Sequence, residues 1–139
     1  MIILDTNVIS EPLSQAPESR VIKWLDAQPI ETLYLSAITV AELRFGLASL
    51  PIGKRRDKLQ ENLEKQVLPL FTGRVLSFDM SASQSYSELM AKARIAGLAI
   101  SVADGYIAAT AAANGMIVAT RDVSLFEAAG VNVINPWEN

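Results

Sequence analysis

The chain has 139 residues, half of them hydrophobic, with no cysteine, no histidine and a formal net charge of −3. That length suits a single domain, residues 1–139, which buries roughly two thirds of its unfolded surface without covalent or metal staples. The missing residue types exclude a Cys/His zinc site, a thiol nucleophile and His-based acid–base catalysis, and the acidic balance argues against gripping nucleic acid by bulk charge. No apolar run approaches the about 20 residues of a membrane span. The N-terminus enters a strand pattern directly instead of a charged leader, so a cytoplasmic protein with no membrane contact is expected.

Ile2, Ile3 and Leu4 form a continuous apolar run that stops at Asp5, Thr6 and Asn7. Such a run suits a strand buried on both faces of a parallel sheet. Val21, Trp24 and Leu25 then recur at helical spacing, and Leu33, Tyr34 and Leu35 read as a second strand closed by Ser36. Thr39 is the expected cap of a helix striped by Val40, Leu43, Leu47 and Leu50, with Glu42 in its first turn. Pro51 and Gly53 break the chain before a longer helix whose apolar stripe is Leu59, Leu63, Val67 and Leu70.

Val75, Leu76 and Phe78 give a third strand, and Met80 to Ala96 a helix with Gly97 as its C-terminal cap. Ser101 opens the next helix, with Asp104 three residues on in a capping-box arrangement. Asn114 and Gly115 end that helix. Met116 to Ala119 form a fourth strand closed by Thr120, Arg121 and Asp122, and a short helix through Phe126 leads to a last strand through Val131, Val133 and Ile134. This alternation predicts an α/β fold: three layers, with helices on both faces of a mostly parallel sheet of about five strands.

Ligands of open α/β sheets bind outside the carboxyl ends of the strands. Asp5 and Asp122 stand at two such ends, and Glu42 and Asp104 open helices on the same edge. Each has a plain structural alternative, as a cap or a first-turn acid favoured by the helix dipole. Together, four carboxylates from distant parts of the chain would repel one another and call for a hard cation, Mg²⁺ or Mn²⁺. Half of the twelve Lys and Arg residues lie between Pro51 and Arg74, where a solvated helix face is the simpler reading, and beyond Ile95 the only one is Arg121.

The segments MIILDTNVISEPL, YLSAITVAELRFG, ADGYIAATA, VATRD and the terminal NPW resemble the PIN-domain ribonucleases of the VapC toxin branch, in the right order across the whole chain. The family's four acidic metal-site positions fall on Asp5, Glu42, Asp104 and Asp122, and its nearby small polar residues on Thr6, Asn7 and Thr120. The resemblance implies a magnesium-dependent endoribonuclease, the toxin of a type II toxin–antitoxin pair, usually a homodimer restrained by a small, DNA-binding antitoxin. Without histidine, phosphodiester cleavage needs another source of nucleophile, and a metal-activated water supplies one. Asp5, Asp104 and Asp122 are then assigned to metal binding, directly or through water. Glu42 either joins them or takes a proton from the attacking water. Asn7 and Thr120 orient these groups, and Arg44, Arg121 and the basic residues after Pro51, up to Arg74, are candidate contacts to the RNA substrate.

Three other readings are weaker. A dehalogenase-type phosphatase needs a second acid where Asn7 stands, and a receiver domain built on Asp79 needs a lysine late in the sheet, yet none follows Lys92. A catalytically silent PIN-like partner of a DNA-binding antitoxin would not need the four acids.

Overall fold

The computed structural model describes residues 1–138. Five strands, β1 (Ile2–Leu4), β2 (Leu33–Ser36), β3 (Val75–Leu76), β4 (Ile117–Ala119) and β5 (Val133–Ile134), form one sheet in the order β3-β2-β1-β4-β5. Every pairing is parallel, with Ile3 opposite Tyr34 on one side and Val118 on the other. The helices are α1 (Thr6–Ile9), α2 (Ser19–Ala27), α3 (Ala37–Ala48), α4 (Lys54–Asn62), α5 (Met80–Ile95), α6 (Val102–Ala113) and α7 (Val123–Ala128). The expected α/β architecture with helices on both faces is what forms.

Alternation along the strands divides the core in two. Leu4, Leu33, Leu35 and Ala119 face a cluster with Val8, Val21, Leu43, Leu47, Leu63 and Phe71, drawn from α1 to α4 and the segment after α4. Ile3 and Val118 face the opposite cluster with Leu89, Ile107, Ala108 and Phe126, drawn from α5 to α7. Both sides of β1 are therefore dry, which explains why it reads as unbroken apolar sequence. From β1 the chain winds outward to β2 and β3, then returns across the sheet to β4 and β5. The strand order reverses beside β1, so the carboxyl ends of β1 and β4 flank the crevice where such sheets take ligands.

Three local expectations change. The cap of α3 is Ser36, whose hydroxyl accepts from Ile38 N at 3.0 Å, because β2 turns straight into the helix. Thr39 lies inside the first turn, fully buried, and Glu42 falls in the second turn instead of the first. The helix after Gly53 keeps α-helical geometry only to Asn62, then passes through a π turn at Leu63–Val67 and a 3-10 turn at Leu68–Phe71 containing Pro69. A π turn accommodates one extra residue and so rotates the next turn by about 100°. Leu63 stays buried, while Leu70 swings out to 55% exposure. Phe78 lies beyond β3, where its ring packs against Tyr86 and Tyr106.

The end of α5 matches the expectation closely. Gly97 takes φ +73, Leu98 N donates to Ala93 O and Gly97 N to Arg94 O, the paired bonds of a Schellman turn.

The rotation at the π turn gives a direct test. Leu63→Ala should cost about 2–5 kcal/mol in urea unfolding, whereas Leu70→Ala should stay within about 1 kcal/mol. Equal costs would contradict the outward turn of Leu70.

Candidate active site

Asp5 is the hub. It is 3% exposed at the carboxyl end of the central strand, and its backbone N donates to Ala119 O on β4. One carboxylate oxygen accepts from Thr6 N at 2.8 Å and caps α1, while the other accepts from the Thr120 hydroxyl at 2.8 Å. Capping and site membership, alternatives in the sequence, coexist in one side chain. Thr120 is fully buried and its oxygen in turn accepts from Asp122 N at 2.9 Å.

Asn7 ties the same two strand ends together from the other side. Its amide nitrogen donates to Asp122 Oδ2 at 3.1 Å and its amide oxygen accepts from Arg121 N at 3.3 Å. Asp122 occupies the N-cap position of α7 without making a capping bond, so its carboxylate is turned to Asn7. Thr6 reaches toward α3. Its hydroxyl donates to Glu42 Oε1 at 2.6 Å and sits 3.3 Å from the buried Thr39 hydroxyl. With its own proton committed to Glu42, Thr6 receives one from Thr39. Thr39 thus belongs to the network, a role its sequence position hinted at only by lying three residues before Glu42, on the same side of the helix.

Asp104 is hydrogen-bonded within its own turn, accepting from the Ser101 hydroxyl at 2.8 Å while its backbone N donates to that hydroxyl at 3.1 Å. Its link to the hub is electrostatic. Burial, with a smaller push from the charges of Asp104 and Asp122, raises the Asp5 carboxyl to about 6 against the pull of Thr120 and Thr6 N.

The four acids meet at one edge of the sheet more loosely than a closed cage. Among the described residues no three carboxylates are close enough to form a ready-made cation cluster. Each outer acid is held by its own donor, Glu42 by Thr6, Asp122 by Asn7 and Asp104 by Ser101. The donor set is all oxygen, the chemistry that suits a hard cation keeping part of its water shell, as Mg²⁺ does.

The candidate cations behave differently from one another. Arg44 is engaged in a two-pronged pair with Glu64, at 2.7 and 3.0 Å, whose hydrogen bond draws the Glu64 carboxyl below its usual range. The pair is exposed and contributes under about 1 kcal/mol. Arg74 is a structural tie, donating to the carbonyls of Leu33 and Leu70. Arg121 leaves the site turn and lies over the Trp137 ring, 5.2 Å from its centroid.

A family model described as the PIN domain matches residues 2–131. The chain belongs to the PIN-domain family. It is 64% identical over 138 residues to VapC ribonuclease Y4jK of Sinorhizobium fredii, covering 99% of each chain. It is 53% identical to Toxin FitB of Neisseria gonorrhoeae over the full length of both. A solved structure of FitAB bound to an IR36 DNA fragment contains a chain that superposes with TM-score 0.95 at 53% identity, covering 99% of this chain and 96% of that one. This PIN domain therefore has named toxin and ribonuclease relatives that match nearly all of its length.

The raised Asp5 carboxyl has a measurable consequence in metal-free protein. The unfolded chain releases this proton near 3.8 and the folded chain near 6, so stability falls as pH rises through that window, by about 3 kcal/mol. In EDTA, Asp5→Asn should remove this component and melt above wild type at pH 7.5. Parallel pH–stability curves for the two proteins between pH 4 and 7 would contradict the burial of an uncompensated carboxylate.

Proposed function

We propose that this PIN domain is a Mg²⁺-dependent endoribonuclease, with Mn²⁺ as a substitute ion, and the toxin of a type II toxin–antitoxin pair. The observation that carries this is the buried, raised carboxyl of Asp5, linked through Thr120 and Asn7 to Asp122, through Thr6 to Glu42, and by charge to Asp104. The relatives' names, ribonuclease and toxin, support the substrate class and the biological role.

Asp5, Asp104 and Asp122 would hold the ion, directly or through water. A bound Mg²⁺ lowers the pKa of water and offsets phosphate charge, which supplies a nucleophile near neutral pH. Glu42 gives one oxygen to Thr6, which leaves the other to bind the ion or accept a proton from the attacking water. Thr120 fixes the Asp5 oxygen that it touches, and Asn7 fixes Asp122, so both carboxylates enter the reaction already oriented.

Partners belong to the same proposal. Phe45, Ile52, Met80 and Ile95 are each more than 70% exposed, apolar surface that suits a homodimer contact and an antitoxin segment. The FitAB assembly solved on DNA supports an antitoxin that binds DNA.

Mg²⁺ at 100 times its Kd should stabilise the fold by about 2.7 kcal/mol, and Asp5→Asn or Asp104→Asn should weaken that response. The purified protein should cut RNA in Mg²⁺ but not in EDTA, leaving 5′-phosphate and 3′-hydroxyl ends on mass spectrometry. Asp5→Asn should abolish the cutting while the protein stays folded. Cyclic 2′,3′-phosphate ends or undiminished cleavage in EDTA would overturn the mechanism. A protein that responds thermally to Mg²⁺ but cuts no RNA would instead be the silent partner.

A further inference from the structure

We propose that Trp137 and Arg121 form a phosphate subsite beside the acidic cluster, in which Trp137 is a positioning residue that presents the Arg121 guanidinium to the RNA backbone. The inference rests on the ribonuclease reading and extends it to substrate contacts outside the four acids.

Three observations carry it. The Arg121 backbone is fixed to the site, since its N–H donates to Asn7 Oδ1 and its neighbours Thr120 and Asp122 are both in the network. A side chain leaving that turn therefore starts beside the acids. Its guanidinium lies on the face of the Trp137 ring, 5.2 Å from the centroid. Among the described residues it has no carboxylate partner and its side chain makes no hydrogen bond, unlike Arg44 and Arg74. A guanidinium held over an aromatic face, with none of its N–H groups bonded elsewhere, keeps those donors open for two-pronged contact with a phosphate.

Trp137 is itself held in place. It packs against the cluster that contains Leu4, Val8 and Val21, its carbonyl accepts from Arg20 Nη1 at 3.1 Å, and its N–H donates to Asn135 Oδ1 at 2.9 Å. The ring is therefore a fixed platform. A long flexible side chain loses rotamer freedom when it grips a phosphate, and a platform that has already restricted it lowers that cost. Arg121 is also the only cation beyond Ile95, so in that last third of the chain no other side chain can take this role.

The test measures binding of a 5′-fluorescein-labelled single-stranded 12-mer RNA in EDTA by anisotropy, across a series of salt concentrations, so that cleavage does not enter. Arg121→Gln should weaken binding roughly tenfold and reduce the salt slope by about 0.7, one phosphate contact on a single strand. Trp137→Leu should weaken it roughly threefold, and Trp137→Phe, which keeps an aromatic face, should restore most of that loss. In an Arg121→Gln background, Trp137→Leu should add nothing, because its effect passes through the arginine. Melting temperatures separate these effects from misfolding. If wild type cuts RNA in Mg²⁺ but Arg121→Gln leaves affinity and salt slope unchanged, the subsite is overturned and the ribonuclease reading stands. Additive losses in the double variant would overturn the positioning role of Trp137. If wild type neither binds nor cuts RNA, the ribonuclease reading falls first and the subsite with it.

Discussion

The structure depends on one carboxylate being buried where nothing charged offsets it. Asp5 ends the central strand, paired on both sides, so its position is fixed by backbone hydrogen bonds that the whole sheet shares. Its two oxygens are met by a hydroxyl and an amide N–H, and among the described residues by no lysine or arginine. A carboxylate whose role is only structural is normally paired when this deeply buried, because two neutral donors recover part of the hydration that it loses. Here the nearest charges named in its environment, Asp104 and Asp122, have the same sign. An arrangement that raises the energy of the ionised form is what sites for a cation or a proton transfer require, and a cap alone does not.

The remaining contacts read as consequences of that choice. With carboxylates at one edge, each needs a donor that orients it without neutralising it, and the chain uses only hydroxyls and an amide: Thr6 for Glu42, Asn7 for Asp122, Ser101 for Asp104. A lysine in any of these places would form an ion pair and compete with a cation. Thr120 serves two strand ends at once, donating to Asp5 and accepting from Asp122 N, so the loop after β4 cannot shift without disturbing the hub.

Much of this was legible in the sequence, for identifiable reasons. Strands buried on both faces print as unbroken apolar runs, and β1 and β4 end abruptly in polar residues, so Asp5 and Asp122 could be placed at strand ends from pattern alone. The Schellman turn at Gly97 and the Ser101–Asp104 pair are local motifs with local signatures. The illegible features are either degenerate or non-local. Ser36 and Thr39 are equally good caps on paper, and the choice falls to how tightly β2 turns into α3. The π turn leaves the apolar spacing of Leu59, Leu63, Val67 and Leu70 unchanged while rotating the last of them into solvent. The bonds from Asn7 to Asp122 and from Thr120 to Asp5 each span 115 residues, and no local pattern encodes them.

The distribution of cations completes the electrostatic logic. A chain of net charge −3 with an acidic cluster repels a polyanion at long range, so the proposed affinity for RNA would have to come from a few contacts made at close quarters. Most of the arginine and lysine charge lies far along the chain from the site turn, and two of its members are already committed, Arg44 to Glu64 and Arg74 to backbone carbonyls. A cation placed directly among the acids would be drawn into an ion pair and lost to substrate. Holding Arg121 on an indole face instead of beside a carboxylate avoids that, because the aromatic ring orients the charge without cancelling it. The same principle thus governs both signs of charge at this site: neutral groups hold the four acids, and a neutral ring holds Arg121.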